Sequence, residues 1–176
     1  SLKKTYEYFI DAKNKCFKKK ALKKYGDELK NNSEKYCPKG KFIIDKIKEN
    51  KQKPLNMRRT SWIYTNWVNN SGAIAFFNLF DLNGIKWIKK ASEVISKSKD
   101  NEYRIIYLDN PTSSIQKNLL KIMNSDKNKH GEYIDAILGT GKLSVGISIF
   151  NIGYFFRIDE HWSPATNYQS EARVFR

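Results

Sequence analysis

The stretch that decides the fold is YRIIYLDNPTSSIQKNLLKIMNSDKNKHGEYIDAILGT, residues 103–140. It begins with an apolar, β-favouring run at Tyr103–Leu108 and continues through a polar turn at residues 110–114. Apolar side chains then recur at helical spacing: Ile115, Leu119, Leu120, Ile122 and Met123. A second apolar run follows at Tyr133–Leu138. Continuous apolar strands that alternate with a helix predict a parallel sheet covered by helices on both faces.

The same alternation extends to either side of this stretch. We predict a strand at Ser61–Thr65, a minor strand at Ile85–Ile88 and a last strand at Tyr154–Ile158. A helix between the first two would be capped by one of residues 69–71 and end at Asn83–Gly84. Residues 139–148 contain three glycines and predict a loop. The sequence therefore predicts an α/β domain over residues 56–176, and residues 1–55 form a separate basic helical segment.

The basic segment has its own pattern. Apolar residues recur at helical spacing from Leu2 to about residue 24, and Gly26 is expected to end this helix. Residues 27–36 are predicted to be a polar connection, and Pro38 to open a second helix. Residues 1–59 carry 19 Lys/Arg against 7 Asp/Glu, which is +12 of the chain's net +15. Such a segment can follow the phosphates of a nucleic acid, although a solvated helix would explain any single lysine equally well.

Composition sets further bounds. The 176 residues, 40% of them hydrophobic, are enough for one domain with a sizeable core. Two cysteines, Cys16 and Cys37, imply no disulfide framework and favour a reducing, intracellular setting. Together with His130 and His161 they have no metal-ligand spacing, so we expect no metal site. There is no signal peptide and no apolar run of about 20 residues. Because the chain lacks an initiator Met, we expect a fragment of a larger polypeptide.

The last stretch carries the most distinctive chemistry. Ser163 can cap a helix that has Pro164 at its first position. On that helix Gln169, Arg173 and Arg176 would share one stripe, beside an apolar stripe of Ala165, Tyr168, Ala172 and Phe175. Lysine outnumbers arginine 27 to 6 in this chain, yet two arginines stand here. The planar guanidinium fork grips phosphate in a way that lysine does not, which favours a phosphate-binding role.

These residues resemble the last signature motif of superfamily 2 helicases and translocases, Gln-x-x-Gly-Arg-x-x-Arg, with Ala172 where Gly is usual. The preceding Trp162-Ser-Pro-Ala is similar to the Trp-Asn-Pro-Ala of chromatin-remodeller and large-DNA-virus members. Ser144-x-Gly146-Ile-Ser148 resembles the fifth motif, with Val145 where viral members usually carry Glu. Residues 62–67 followed by Gly72 resemble the strand and turn that open the C-terminal lobe. The resemblance covers about residues 34–176 and implies a C-terminal RecA-like lobe of the poxvirus, asfarvirus or mimivirus type.

The resemblance implies that two lobes contribute different residues to one nucleotide-binding site. ATP would lie in the cleft between two lobes, with Mg²⁺ held mainly by the first lobe. Arg176 would be the arginine finger and Arg173 its neighbour on the phosphates, while Gln169, Gly146 and Ser144 would bind or sense the nucleotide. Nucleic-acid contacts are expected from Asn66, Trp67, Gly139, Thr140, Gly141 and Lys142. The chain would then be part of an ATP hydrolase but inactive by itself.

The implied partners are nucleic acid, DNA in preference to RNA, the N-terminal RecA-like lobe of the same polypeptide and the transcription machinery. The implied setting is the cytoplasm of an infected cell or the virion. Among the aromatic residues, Trp62, Trp87, Phe76 and Phe77 are expected in the core, which leaves Trp67 as the candidate for base stacking.

Other interpretations stay open at this point. A non-catalytic basic nucleic-acid-binding module, or a transcription-factor subunit on a degenerate RecA-like lobe, would also explain the charge and the alternation. Gly139-Thr-Gly-Lys142 is not a Walker phosphate loop, because residue 136 is Ala and residue 143 is Leu. Asp159-Glu160-His161 resembles an acid box, but Trp162 stands where His is required. We expect Asp159 and Glu160 to be structural or to line the cleft.

Overall fold

A five-stranded sheet, parallel throughout, forms the centre of the molecule. The structure, a computed structural model, describes residues 8–11, 16–68, 72–110, 112–140 and 148–160, together with Ser163, Ala165, Tyr168, Glu171 and Ala172. Two short strands come first in the chain, and five longer ones follow: β1 (Ile10–Asp11), β2 (Cys16–Phe17), β3 (Thr60–Thr65), β4 (Ile85–Ile88), β5 (Tyr103–Leu108), β6 (Ala136–Thr140) and β7 (Ile152–Arg157). The order across the sheet is β4-β5-β6-β3-β7, and all neighbours are parallel.

Helices cover both faces of this sheet. They are α1 (Lys19–Asn31), α2 (Ser33–Tyr36), α3 (Pro38–Lys51), α4 (Ala73–Leu82) and α5 (Ser114–Met123). Ile44 of α3 and Phe80 of α4 pack on one face of the sheet with Ile63 of β3. Leu119 and Met123 of α5 pack on the other face with Trp62 and Tyr64. The predicted α/β fold with a parallel sheet buried on both faces is confirmed, and its five strands flanked by helices fit a RecA-like fold.

The N-terminal helix prediction is wrong at Ile10–Asp11 and Cys16–Phe17, whereas Tyr8 and Phe9 and residues 19–24 are helical as predicted. Ile10–Asp11 and Cys16–Phe17 pair as antiparallel strands, and next to this pair the Lys18 N–H donates to the Phe9 carbonyl at 2.8 Å. Phe9 packs against Tyr25 with ring centres 5.5 Å apart, and Ile10 is buried. Apolar spacing over so few residues suits a strand or a helix, and tertiary burial decides between them.

Gly26 does not end a helix, and residues 27–36 are not a connection. Helix α1 runs through Gly26 to Asn31, and α2 follows at Ser33–Tyr36. A glycine inside a helix costs only about 1 kcal/mol relative to alanine, which packing readily offsets. Pro38 does open a helix, as predicted, and it stands at the first position of α3. That Ser1 to residue 55 come from a preceding part of a longer protein stays a prediction.

The strand predicted at Tyr133–Leu138 is displaced toward the C-terminus. Asn128 accepts the backbone N–H groups of Tyr133 and Ile134 on its side-chain oxygen, at 2.9 Å each. These two residues are therefore held by a side chain and not by a neighbouring strand. Gly139 and Thr140, predicted to lie in a loop, belong to β6 and pair with β3. The cap predicted at residues 69–71 lies outside the described residues.

A buried ion pair joins α3 to the amino ends of β5 and β6. The Lys51 ammonium lies 2.8 Å from Oδ1 of Asp135, and the two side chains are 1% and 4% exposed. The ammonium also donates to Ser98 Oγ at 2.5 Å and to the Gly131 carbonyl at 3.1 Å. The other Asp135 oxygen accepts the Arg104 backbone N–H at 2.8 Å. Burial raises the pKa of Asp135, and the charge of Lys51 opposes that rise.

No helix in the described part of the chain combines the length and the apolar character needed to cross a membrane. Cys16 and Cys37 are free thiols. Burial raises the pKa of Cys37, so its thiol stays protonated near neutral pH.

Candidate functional site at the carboxyl edge of the sheet

The carboxyl ends of β3, β6 and β7 meet at one edge of the sheet, because these three neighbouring strands are parallel. Strand β3 lies between the other two, and the chain reaches β7 by crossing over β3. In open parallel sheets, ligands bind outside the carboxyl ends of the strands, where the strand order changes direction. Asn66 and Trp67 follow β3 at this edge, and Ile158 and Asp159 follow β7.

Asp159 joins the ends of β7 and β3. Its Oδ1 accepts the backbone N–H and the side-chain N–H of Asn66, both at 2.8 Å, and its Oδ2 accepts the Thr65 hydroxyl. The residue before it is held as well, because the Ile158 N–H donates to the Tyr64 carbonyl at 2.8 Å. Asp159 thus has a structural role at the carboxyl edge of the sheet, one of the two roles expected from the sequence; that it lines a cleft stays a prediction.

Lys39 brings the start of α3 to the same place. Its ammonium donates to the Ile158 carbonyl at 2.6 Å, and Pro38 precedes it at the first position of the helix. The two residues are separated by 119 positions in the chain. The carboxyl end of β7 is therefore hydrogen-bonded to both α3 and β3.

Asn66 is held on both of its polar atoms. The Tyr64 hydroxyl donates to Asn66 Oδ1 at 2.9 Å, while Nδ2 donates to Asp159. Burial raises the pKa of Tyr64, the charge of Asp159 adds to the rise and Arg157 opposes it. The phenol therefore stays protonated and can keep donating to Asn66. The Asn66 side chain, predicted to bind nucleic acid, thus has a firm orientation in the protein itself.

Trp67 combines a fixed backbone with an open side chain. Its N–H donates to Thr65 Oγ1 at 3.2 Å, and its carbonyl accepts the Ala73 N–H at the start of α4 at 2.8 Å. A Cβ on Gly72 would lie 2.2 Å from that carbonyl oxygen, so the close approach requires glycine. The Trp67 side chain is nevertheless 64% exposed. The indole is displayed to solvent on a well-anchored loop.

The other large aromatic residues behave as expected of core residues. Trp62 is fully buried, and Phe76 and Phe77 are buried residues of α4. Trp87 is partly buried and packs edge-on against Phe77, with ring centres 3.9 Å apart. The prediction that separates these residues from Trp67 is confirmed.

Gly139 and Thr140 end strand β6 beside Tyr64 and Thr65, and both are buried. The Thr140 hydroxyl has no hydrogen-bond partner among the described residues. Contact of these two residues with nucleic acid stays a prediction. Seven further predicted site residues lie outside the described residues: Gly141, Lys142, Ser144, Gly146, Gln169, Arg173 and Arg176.

An ion pair joins the C-terminal segment to the sheet. Arg157 at the end of β7 pairs with Glu171, and its guanidinium lies 5.7 Å from the centre of the Phe155 ring. Ala165, Tyr168 and Ala172, three members of the predicted apolar stripe, are exposed, and Tyr168 keeps 70% of its surface open. Over the described residues the stripe therefore faces solvent.

Sequence reasoning named Asn66 and Trp67 but gave no functional place to Thr65 or Lys39. The contacts of Asp159 with Asn66 span 93 positions of the chain, so no local pattern could reveal them. The one available signal was the position of Asp159 directly after a predicted strand. Among the described residues, no group of three His, Cys, Asp or Glu side chains is placed to hold a metal ion.

The chain is similar to a viral protein named as a helicase. It is 31% identical over 150 residues to "Putative helicase 087L" of Invertebrate iridescent virus 3. The similarity covers 85% of this chain but 15% of that protein, so the chain spans a small part of its relative's length. No protein-family model matches the chain. Fold and similarity agree on a coarse assignment: a RecA-like α/β domain related to a helicase-named viral protein.

Proposed function

We propose that this chain is the second, C-terminal RecA-like lobe of an ATP-dependent nucleic-acid helicase or translocase of superfamily 2, from a large DNA virus. In this proposal Arg176 is the arginine finger, Arg173 contacts the phosphates beside it, and Gln169, Gly146 and Ser144 adjoin the nucleotide. ATP and Mg²⁺ lie between this lobe and an N-terminal lobe of the same polypeptide, which holds most of the metal contacts.

The observation that carries this proposal is the arrangement at the carboxyl edge of the sheet. A chain similar to a helicase-named protein over 85% of its length forms a parallel sheet and anchors an exposed tryptophan where such sheets bind ligands. Every nucleic-acid base has a flat π-face, so an exposed indole binds bases without regard to sequence. Asn66 beside it, together with Gly141 and Lys142, would complete the nucleic-acid contact.

The chemistry asked of the arginines is stabilisation of charge. Phosphoryl transfer develops charge on the transferred group, and a guanidinium placed there stabilises the transition state. A lobe that supplies arginines without a phosphate loop or an acid box would not turn over ATP alone. The working site requires both lobes, which is why we propose DNA-stimulated hydrolysis as a property of the longer polypeptide.

A second candidate function is a non-catalytic basic nucleic-acid-binding module, such as a transcription-factor subunit. The observation that favours it is the charge of the N-terminal part, +12 over residues 1–59. Helix α1 presents exposed lysines along its length: Lys19, Lys20, Lys23, Lys24 and Lys30. A phosphate loop and an acid box elsewhere in the longer polypeptide would decide for the motor, and their absence for the module.

The decisive experiment replaces Arg176 by Lys in the longer polypeptide. The change keeps the charge but removes the planar fork, so turnover should fall by about 10³-fold while nucleotide affinity changes little. Arg173→Lys should weaken both, and Gln169→Ala should reduce the stimulation of hydrolysis by nucleic acid. Arg58→Lys is the matched control, because Arg58 pairs with Asp100 at the amino-edge side of the sheet. Wild-type turnover in Arg176→Lys, with an unchanged melting curve, would overturn the proposal.

A further inference from the structure

We propose that Asp159 is a positioning residue, which holds the loop after β3 so that the Trp67 indole is presented for stacking on a nucleic-acid base. The stacking role of Trp67 rests on the proposed function. The positioning role of Asp159 rests on the contacts of this chain alone, and the two can be tested separately.

The geometry around Trp67 carries the inference. Among the described residues, the Asp159 carboxylate accepts three hydrogen bonds, all from the two residues directly before Trp67. On the other side of Trp67, Ala73 and Gly72 hold its carbonyl against the start of α4. Hydrogen bonds to a charged acceptor are about twice as strong as those between neutral groups. The backbone of an exposed residue is thus fixed from both sides, and one side depends on a single carboxylate.

A fixed loop matters because stacking on a mobile residue loses part of its free energy to ordering. Alanine substitution of a stacking aromatic residue weakens single-strand binding by about 5- to 150-fold per base. If Asp159 sets the orientation of Trp67, Asp159→Ala should weaken single-strand binding by a large part of that factor, although the Trp67 indole is still present.

The sign of the electrostatic effect separates positioning from simple charge. Asp159→Ala raises the net charge by one, and added positive charge strengthens binding to phosphates. Weaker binding in Asp159→Ala would therefore run against the electrostatic expectation. Asp81 offers a matched control, because it is exposed and lies near the far end of α4. Asp81→Ala makes the same charge change away from the Trp67 loop, and it should bind as well as the wild type or slightly better.

Asp159→Asn is the conservative variant. Its amide oxygen can still accept the Asn66 N–H groups, and its amide nitrogen can donate to the Thr65 hydroxyl, which accepts as readily as it donates. We therefore expect Asp159→Asn to restore most of the binding that Asp159→Ala loses. A role that depended on negative charge at this position would show no such rescue.

The experiment measures binding of the full 176-residue chain to a fluorescein-labelled thymine oligonucleotide at fixed salt. Asp159→Ala is expected to lose about 5-fold or more against Asp81→Ala, and to have almost no further effect in a Trp67→Ala background. Equal loss in both backgrounds, or binding equal to that of Asp81→Ala, would overturn the positioning role. Unaltered binding in Trp67→Ala would overturn the stacking role proposed for this residue.

A second measurement needs no nucleic acid. The chain labelled with 5-fluorotryptophan should give four fluorine resonances, one for each tryptophan, and that of Trp67 is assigned by its loss in Trp67→Phe. Asp159→Ala should shift or broaden the Trp67 resonance and leave that of the buried Trp62 in place. A Trp67 resonance that Asp159→Ala does not move would overturn the positioning inference, whatever the chain binds. Loss of dispersion in all the resonances would also overturn it, because Asp159 would then support the whole fold.

Discussion

Replacing Lys51 by Met should strongly destabilise the protein, because it leaves the buried Asp135 carboxylate without its counter-charge. Lys51 and Asp135 are 1% and 4% exposed, and the ammonium also donates hydrogen bonds to Ser98 Oγ and the Gly131 carbonyl. Methionine fills a similar volume but leaves Asp135 without its counter-charge and two acceptors without their donor. Removing one partner of a buried pair costs about 3–5 kcal/mol. That is a large part of the roughly 5–15 kcal/mol by which a domain is normally stable.

The loss should depend on pH in a defined direction. Burial raises the pKa of Asp135 in the folded state, and removal of Lys51 should raise that pKa further. A group whose folded pKa lies above its unfolded value favours folding below the unfolded pKa, near about 3.9, and loses that contribution as pH rises through the folded pKa. The loss in free energy of unfolding of Lys51→Met relative to the wild type should therefore be largest at neutral pH and become smaller toward about pH 5.

The assay is urea unfolding at about pH 7 and about pH 5, followed by circular dichroism. Lys46→Met is the matched control, since Lys46 lies on the same helix and pairs with Glu49 in an exposed position. It should change the free energy of unfolding little. Lys51→Met with Asp135→Asn should lose the pH dependence and regain part of the stability. A loss in the free energy of unfolding of Lys51→Met that is equal at both pH values, or no larger than that of Lys46→Met, would refute the reasoning.

Three further predictions concern the loop, the charge and the chemistry. Gly72→Ala should cost about 1–3 kcal/mol in urea unfolding, because its Cβ meets the Trp67 carbonyl. Gly26→Ala should stabilise α1 by up to about 1 kcal/mol, because the new Cβ would be in ordinary van der Waals contact with Leu22. Nucleic-acid affinity should fall steeply with salt, and the logarithmic slope should drop by about 0.7 for each phosphate that is no longer neutralised when exposed α1 lysines become Gln. The set to change is Lys19, Lys20, Lys23 and Lys24, and unchanged slopes would mean that they only solvate the helix. The purified chain should show no ATP turnover in a coupled assay; turnover abolished by Asp159→Asn would revive the acid-box interpretation.

Local patterns were sufficient for most of the α/β part. The runs at residues 61–65, 85–88 and 103–108 are continuous and rich in β-branched and aromatic side chains, and each appears as a strand. The helices at 73–82 and 114–123 also appear where the spacing and turn residues predict them. In these segments the residue propensities, the hydrophobic periodicity and the flanking turn residues all favour the same secondary structure.

Where local signals conflicted, side chains from elsewhere in the chain decided. Ile10–Asp11 and Cys16–Phe17 became paired strands because Phe9 packs against Tyr25 and Ile10 is buried in the folded protein. The Asn128 side chain held Tyr133 and Ile134 out of strand β6. Each outcome depends on a partner that periodicity does not encode.

The sequence alone therefore determined the class of fold, the core aromatic residues and the exposed position of Trp67. Strand order and the architecture of the carboxyl edge came from tertiary structure. Asp159 meets Asn66 across 93 positions, and Lys39 meets Ile158 across 119. The first contact exists only once β3 and β7 lie side by side, and the second only once α3 packs beside the end of β7. A hydrogen bond depends on the distance between two atoms in space, and sequence spacing does not encode that distance.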